Sequence, residues 1–265
     1  MLESIILGIV QGIFEWLPIS SQGNLVLLMV GFFKIGALEA LRYSIFLHIG
    51  TFLAVLVYFR KDIVEIIGRL RNYRPEFKEK KNGLISFLVV STLITGIIGY
   101  PLYKLMTNFN LRGEIFLGLI GLALIFTGIL QKIAIKKTVP KERMLTLKDS
   151  IILGIVQGIA VIPGISRSGI TISTFLLKRY SPGQGLYLSF LMSIPILFVS
   201  SVFLPVIEGL PKIPALNLIL GLLFSFIFGL ITIKILLQLA QKIRFWGFCV
   251  IIGLLALLPL IIYIF

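Results

Sequence analysis

Charge is scarce in this chain. Only 14% of its 265 residues are Asp, Glu, Lys or Arg, against the roughly 25% of a soluble domain. Cysteine is nearly absent: Cys249 stands alone in an apolar run, which excludes a disulfide framework and a thiolate metal site. The P-loop, zinc spacings, nucleophile elbow and dinucleotide fingerprint are all missing, and with them most familiar soluble chemistries. No Lys or Arg precedes Lys34, and Gln11, Glu15 and Pro18 interrupt the first apolar stretch. That pattern argues against a cleavable signal peptide, so Met1 is expected to be the mature start. What the chain does have is apolar sequence, 58% hydrophobic residues with a mean hydropathy of +1.06. An integral membrane protein follows. The basic excess of 25 over 11 clusters in short stretches between apolar segments, without aromatic interleaving, so membrane lipids and not nucleic acid are the expected partners.

Apolar stretches near residues 43 to 59, 84 to 104, 114 to 131, 184 to 204, 216 to 236 and 246 to 265 can each cross a ~30 Å hydrocarbon layer as a helix. Two more, 1 to 33 and 150 to 177, are broken in the middle by Pro and Ser. Loops 60 to 81, 132 to 148, 178 to 179 and 234 to 244 carry 8, 6, 2 and 3 of the 25 Lys and Arg. The positive-inside rule puts these loops in the cytoplasm and both termini outside. Each broken segment must then return to the side it came from. The expected architecture is an all-α single membrane domain of 1 to 265 with six transmembrane helices and two re-entrant helix pairs. It forms an inverted-topology repeat: repeat one is 1 to 131, repeat two is 150 to 265, and 132 to 149 is a cytoplasmic linker. Loop 60 to 81 reads simply as an anchor near lipid headgroups. The protein is expected in the cell membrane, and the sequence leaves open a homodimer.

The decapeptide S-I-I-L-G-I-V-Q-G-I occurs twice, at Ser4 to Ile13 and at Ser150 to Ile159, and each copy runs into one of the breaks. Broken backbone at membrane depth survives only where protein or a water-filled cavity covers it, so the two breaks should bury against each other. Each break starts a half-helix whose free N–H groups and positive dipole end favour an anion. Ser20 and Ser21 add hydroxyls at one end, and Ser166, Ser168 and Thr171 at the other. Arg167 supplies a planar, permanently charged fork suited to phosphate oxygens; the plainer reading is a buried pair with Glu15 that locks the repeats together. Gln11 and Glu15, at i and i+4, share a helix face toward the first break. Gln157 holds the corresponding place in the second copy, where a structural role is as good a reading as a functional one. His48, in F-L-H-I-G-T, reads as hydrogen-bonded packing. One Arg, one carboxylate, five hydroxyls and two helix N-termini describe a phosphate or diphosphate site.

The stretch G-I-V-Q-G-I-F-E-W-L-P-I-S-S-Q-G-N resembles the first signature of the undecaprenyl pyrophosphate phosphatase family of the bacitracin-resistance type, and P-G-I-S-R-S-G-I-T resembles its second. The likeness runs over essentially the whole chain. It implies hydrolysis of the terminal phosphate of an isoprenoid lipid diphosphate, recycling a cell-wall lipid carrier, with a divalent metal such as Mg or Ca and a site open toward the outer face. By position it implies catalytic roles for Glu15, Ser21 and Arg167, phosphate binding by Ser20, Ser166, Ser168 and Thr171, and metal binding by Glu15 and Gln11. The family pattern has His after S-S-x-G; this chain has Asn24, an amide that cannot take a proton near neutral pH. If that histidine is the family's nucleophile or base, the protein is expected to be slow or inactive; the favoured reading has Asn24 orient the site, with Ser21 as nucleophile and Glu15 as base or metal ligand. The alternative is a transporter or flippase of the lipid phosphate, because inverted repeats also serve alternating access.

Overall fold

The glycines of the repeated decapeptide set the helix packing. In the computed structural model the two copies form α1 (Leu2–Phe14) and α7 (Leu147–Ile159). Gly8 and Gly12 lie against the backbone of α10 (Ala215–Leu239) at Gly221 and Ser225, and Gly154 and Gly158 against α5 (Lys80–Asn108) at Ser91, Ile94 and Ile98. Any Cβ at these four positions would overlap its neighbour. Small residues four apart are the usual means of bringing membrane helices into close contact. The repetition is thus a packing face used twice, each time against a long helix from the other part of the chain.

Residues 1–77, 79–108, 113–137, 143–203, 206, 209–239 and 246–264 are described by the structure, and among them there are helices and no strands. The other elements are α2 (Ser21–Gly31), α3 (Ala37–Tyr58), α4 (Arg60–Leu70), α6 (Gly113–Lys137), α8 (Arg167–Leu177), α9 (Pro182–Phe198) and α11 (Trp246–Ile264). A π turn, Val199–Phe203, extends α9 beyond its internal Pro195. Five helical stretches have the length and composition to cross a membrane: Ala37–Tyr58, Asn82–Met106, Ile115–Ile135, Pro182–Phe203 and Ala215–Gln238. The sixth expected span, 246 to 265, is α11, whose described apolar part Trp246–Leu258 is shorter. The broken segments are helix pairs: α1 and α2 have 13 and 11 residues, or about 20 and 17 Å at 1.5 Å per residue, too little to cross.

Three expectations about loops need correction. Residues 60 to 70 are helix α4, because Ile63 and Ile66 recur at helical spacing and pack against the core while Val64, Ile67 and Leu70 point outward. The ends of the 132 to 149 linker are helical, in α6 and α7, and α10 runs on to Leu239. Lys78, residues 138 to 142 of the linker and 240 to 244 of loop 234 to 244 lie outside the described residues.

The inside of the bundle is rich in hydroxyls and the outside is greasy. Ser44, Thr51, Ser91, Ser189, Ser193 and Ser225 are fully buried, whereas Leu93, Ile97, Leu122, Phe126, Ile219 and Ile251 are more than half exposed. Serine and threonine can hide because their hydroxyls find partners: Ser44 donates a turn back to Leu41 at 2.8 Å and Thr51 to His48 at 3.0 Å, and Ser225 donates across to the Leu47 carbonyl at 2.9 Å. A surface of bare Leu and Ile is stable only against lipid. These helices belong to a multi-pass membrane protein.

Candidate active site

Pro18 stops α1 from continuing, and the chain turns through Ser20, whose φ of 60° is left-handed. That conformation costs a residue with a Cβ about 1–2 kcal/mol. Two groups hold it. The Ser20 hydroxyl caps α2 by accepting from the Gly23 N–H at 3.3 Å, and the Asn24 amide donates to the Ile19 and Ser20 carbonyls at 2.7 and 2.9 Å. In the second break Gly164 takes the left-handed turn, with φ 95°, and Ser166 caps α8 by accepting from the Gly169 N–H at 3.0 Å. The breaks meet as expected. Gly23 lies on Gly164, and the Ser168 hydroxyl donates across to the Leu17 carbonyl at 2.8 Å.

Four side chains converge on the Glu15 carboxylate at this junction. Arg167 Nη2 is 2.5 Å from Oε1. On Oε2, Ser21 Oγ donates at 2.7 Å, Gln11 Nε2 donates at 3.1 Å, and His48 Nε2 lies 3.2 Å away. Gln11 is steadied by Thr51 at 3.4 Å and His48 Nδ1 by the Ser44 carbonyl at 2.6 Å. The guanidinium also lies over the Trp16 ring, 5.7 Å from its centroid, and reaches the Ser189 carbonyl at 3.5 Å. Glu15, His48 and Arg167 line a cavity of about 230 Å³ that continues along Gly96, Tyr100 and Tyr103 of α5. A larger cavity of about 790 Å³ is lined by Asp62, Arg69, Arg143 and Tyr187. Its wall contains none of these converging groups, so the smaller one is the candidate site.

The hydroxyls expected to hold phosphate are mostly committed elsewhere. Thr171 donates to the Arg167 carbonyl at 2.7 Å and bonds the Ser189 hydroxyl at 2.7 Å; Ser166 caps α8; Ser168 ties the breaks together. All three are buried, and they hold the backbone that carries Arg167. Ser20 and Asn24 do the same for Ser21. The residues brought together at the junction are therefore Glu15, Ser21, Arg167 and Gln11, with His48 added; of these Glu15, Arg167 and His48 line the cavity. Sequence reading took His48 as hydrogen-bonded packing because nothing in its spacing links α3 to the first break. The signal available was its cost, since an ionisable group at membrane depth is expensive without a partner. Gln157, whose amide donates to Thr95 at 3.2 Å, extends the α5 to α7 packing.

The donor set does not fit a metal ion on Glu15 and Gln11. A divalent cation needs carboxylate lone pairs, and both Glu15 oxygens already face hydrogen-bond donors, one of them a guanidinium. The remaining oxygen, Gln11 Oε1, is buried without a partner, but a single neutral oxygen makes no cage. Among the described residues no group of three or more His, Cys, Asp or Glu could hold an ion.

Comparison with known proteins agrees with the motifs. A protein of Methanococcoides burtonii named undecaprenyl-diphosphatase is 44% identical over 261 residues, covering 97% of both chains. Proteins of the same name from Methanothrix thermoacetophila and Haloarcula marismortui are 36% and 32% identical over 257 and 255 residues, covering 94% or more of each chain. The model of the family described as bacitracin resistance protein BacA matches residues 4–258. With that match spanning both helix breaks and the helices around them, the chain belongs to the BacA family.

Proposed function

We propose that this protein hydrolyses an isoprenoid lipid diphosphate, of the undecaprenyl diphosphate class, to the lipid monophosphate and inorganic phosphate. The observation that carries the reading is the hydrogen bond from Ser21 Oγ to Glu15 at 2.7 Å, beside an arginine on a cavity wall. A hydroxyl aimed at a carboxylate is an activated nucleophile, and an adjacent guanidinium receives the phosphoryl charge. In the resting state Glu15 and Arg167 cover Ser21. The incoming diphosphate takes the Arg167 fork, which opens the pair and exposes the hydroxyl. Ser21 Oγ then attacks the terminal phosphorus, Glu15 accepts its proton, and the lipid monophosphate leaves as the anion. Water releases phosphate from the seryl ester, and Ser21 regains its proton. The first N–H groups of α2 and α8 lack intrahelical acceptors and favour the anion throughout.

The finer architecture belongs to the same proposal: six spans and two re-entrant pairs in an inverted repeat, with the site facing the outer leaflet of the cell membrane. The crossed packing of α1 on α10 and α7 on α5 supports the repeat. The divalent ion, Mg or Ca, is proposed as a companion of the substrate diphosphate, and no step above passes through it. Transport needs binding without a nucleophile, and a serine held on a carboxylate gives it no support. The test is phosphate release from a long-chain isoprenoid diphosphate by purified protein in detergent. Lipid phosphate that binds without any release would overturn the reading.

A further inference from the structure

His48 holds a place at the site that the family signatures do not give it. Its Nδ1 lies 2.6 Å from the Ser44 carbonyl. A carbonyl only accepts, so the ring proton of the neutral tautomer sits on Nδ1. Nε2 then faces Glu15 Oε2 at 3.2 Å with a lone pair. With the ring neutral, the place between the two atoms is open to one proton, and its arrival turns the contact into an imidazolium–carboxylate pair. The same Oε2 accepts from Ser21 at 2.7 Å. Serine, carboxylate and imidazole therefore form an unbroken route.

We infer that His48 is where the Ser21 proton comes to rest during phosphoryl transfer, supplying from α3 the imidazole that the family pattern places at the position of Asn24. The inference rests on the phosphatase reading above. As the Ser21 Oγ–P bond forms and the bridging P–O bond breaks, the proton moves from Oγ to Glu15 Oε2 and on to His48 Nε2, and the lipid monophosphate departs with the bridging oxygen. When water attacks the phosphoseryl group, the Oγ–P bond breaks and the proton returns through Glu15 to Ser21. The proton lost by water leaves with inorganic phosphate. Asn24 cannot take this part, because its amide nitrogen is engaged by the Ile19 and Ser20 carbonyls.

A carboxylate alone is a poor terminus. Glu15 carries three other hydrogen-bond donors, each of which makes it a weaker base. Passing the proton on to the imidazole takes it off an oxygen that other donors already occupy. The groups facing His48 are Glu15 and Arg167 from the two breaks and, across the cavity, the phenols of Tyr100 and Tyr103 on α5; the π turn after α9 brings Ser200. Acting through Glu15, His48 is a positioning residue that also stores a proton.

The experiment compares wild type, His48→Gln and His48→Ala in detergent, with kcat, KM and the pH profile of phosphate release, and with thermal unfolding to confirm each fold. Glutamine can donate a hydrogen bond to Glu15 but cannot store a proton. The expected result is a kcat lower by roughly 100- to 10,000-fold in both variants, the worth of a positioned acid–base group, with KM changed only a few-fold. The acid limb of the wild-type profile, where His48 is already protonated and cannot accept, should vanish in both. Retention of near wild-type kcat and the same acid limb by His48→Gln, whatever His48→Ala does, overturns the inference and leaves a hydrogen-bonding prop. Absence of release from wild type itself is a different failure, that of the phosphatase reading.

Discussion

Arg167 and Glu15, 152 positions apart in sequence, touch at 2.5 Å across the junction of the two helix breaks, beneath the face of Trp16. Both readings of this pair, clasp and phosphate clamp, are compatible with one geometry, because a guanidinium that neutralises a carboxylate at rest can transfer to a diphosphate when one arrives. Mutation separates the two roles.

Replacing Arg167 with Lys keeps the charge and removes the planar fork. Turnover is expected to fall about 100- to 1,000-fold, equivalent to about 2.7–4 kcal/mol for one lost transition-state donor, with the fold retained. Initial rates and thermal unfolding in detergent check this. A variant that loses its fold instead would make the pair a clasp and nothing more.

Ser21→Ala should abolish phosphate release while leaving lipid binding intact. Asn24→Ala acts differently. It removes two hydrogen bonds to the carbonyls of the left-handed turn, each worth about 0.5–1.5 kcal/mol, so both stability and rate should decline without the rate reaching zero. Asn24→His should change the rate little, since an imidazole is already on Glu15. A large gain in turnover from Asn24→His would show that the site lacked a base.

Purified protein dialysed against a chelator and returned to chelator-free buffer is expected to contain less than stoichiometric Mg or Ca and to unfold at an unchanged temperature. Elemental analysis and a melting curve read this without any assay of activity. A bound equivalent of metal whose removal lowers the melting temperature would contradict the donor set around Glu15.

At the start of α7, burial pushes the Asp149 carboxyl upward, but hydrogen bonds from Thr146, Lys178 and Tyr180 and the Lys178 charge outweigh it and hold the group below the usual carboxylate range. Lys178 Nζ lies 2.9 Å away and the Tyr180 hydroxyl 2.8 Å. A carboxyl depressed in the folded state contributes stability that is complete above its unfolded pKa, about 3.9, and is lost as pH falls through the lower folded value. Asp149→Asn should therefore lower the melting temperature at neutral pH and flatten its acid dependence below about pH 4. Melting curves of both proteins from neutral pH into that acid range measure it.

Much of this was legible in the residues. Pro18 and Pro163 marked the breaks, and hydropathy marked the spans. Arg167 stood out as a charge at membrane depth, and the resemblance of the two signatures gave Glu15 and Ser21 their expected catalytic roles. What escaped depended on contacts between distant segments. The i, i+4 glycines of the decapeptide look the same whether they serve chemistry or close packing until Gly221 and Ser91 are seen against them. That Ser168 and Thr171 donate to carbonyls, and that the Ser166 oxygen accepts the cap of α8, depends on contacts the sequence does not display. His48 needed the third helix folded onto the first break. Helix α4 was missed because its apolar residues, every third to fourth position among charges, lower the average hydropathy that locates spans.

The crossed packing also fixes an order of events during synthesis. Gly8 finds its partner only once Gly221 has been made, more than two hundred residues later. At about 5–20 residues per second the first hairpin waits roughly 10–40 s, with a polar break and a bare glycine face already committed to the bilayer. Gly154, by contrast, meets a helix inserted before it. The two copies of the decapeptide therefore meet their partners in opposite order: the first must wait for α10 to be made, and the second finds α5 already there.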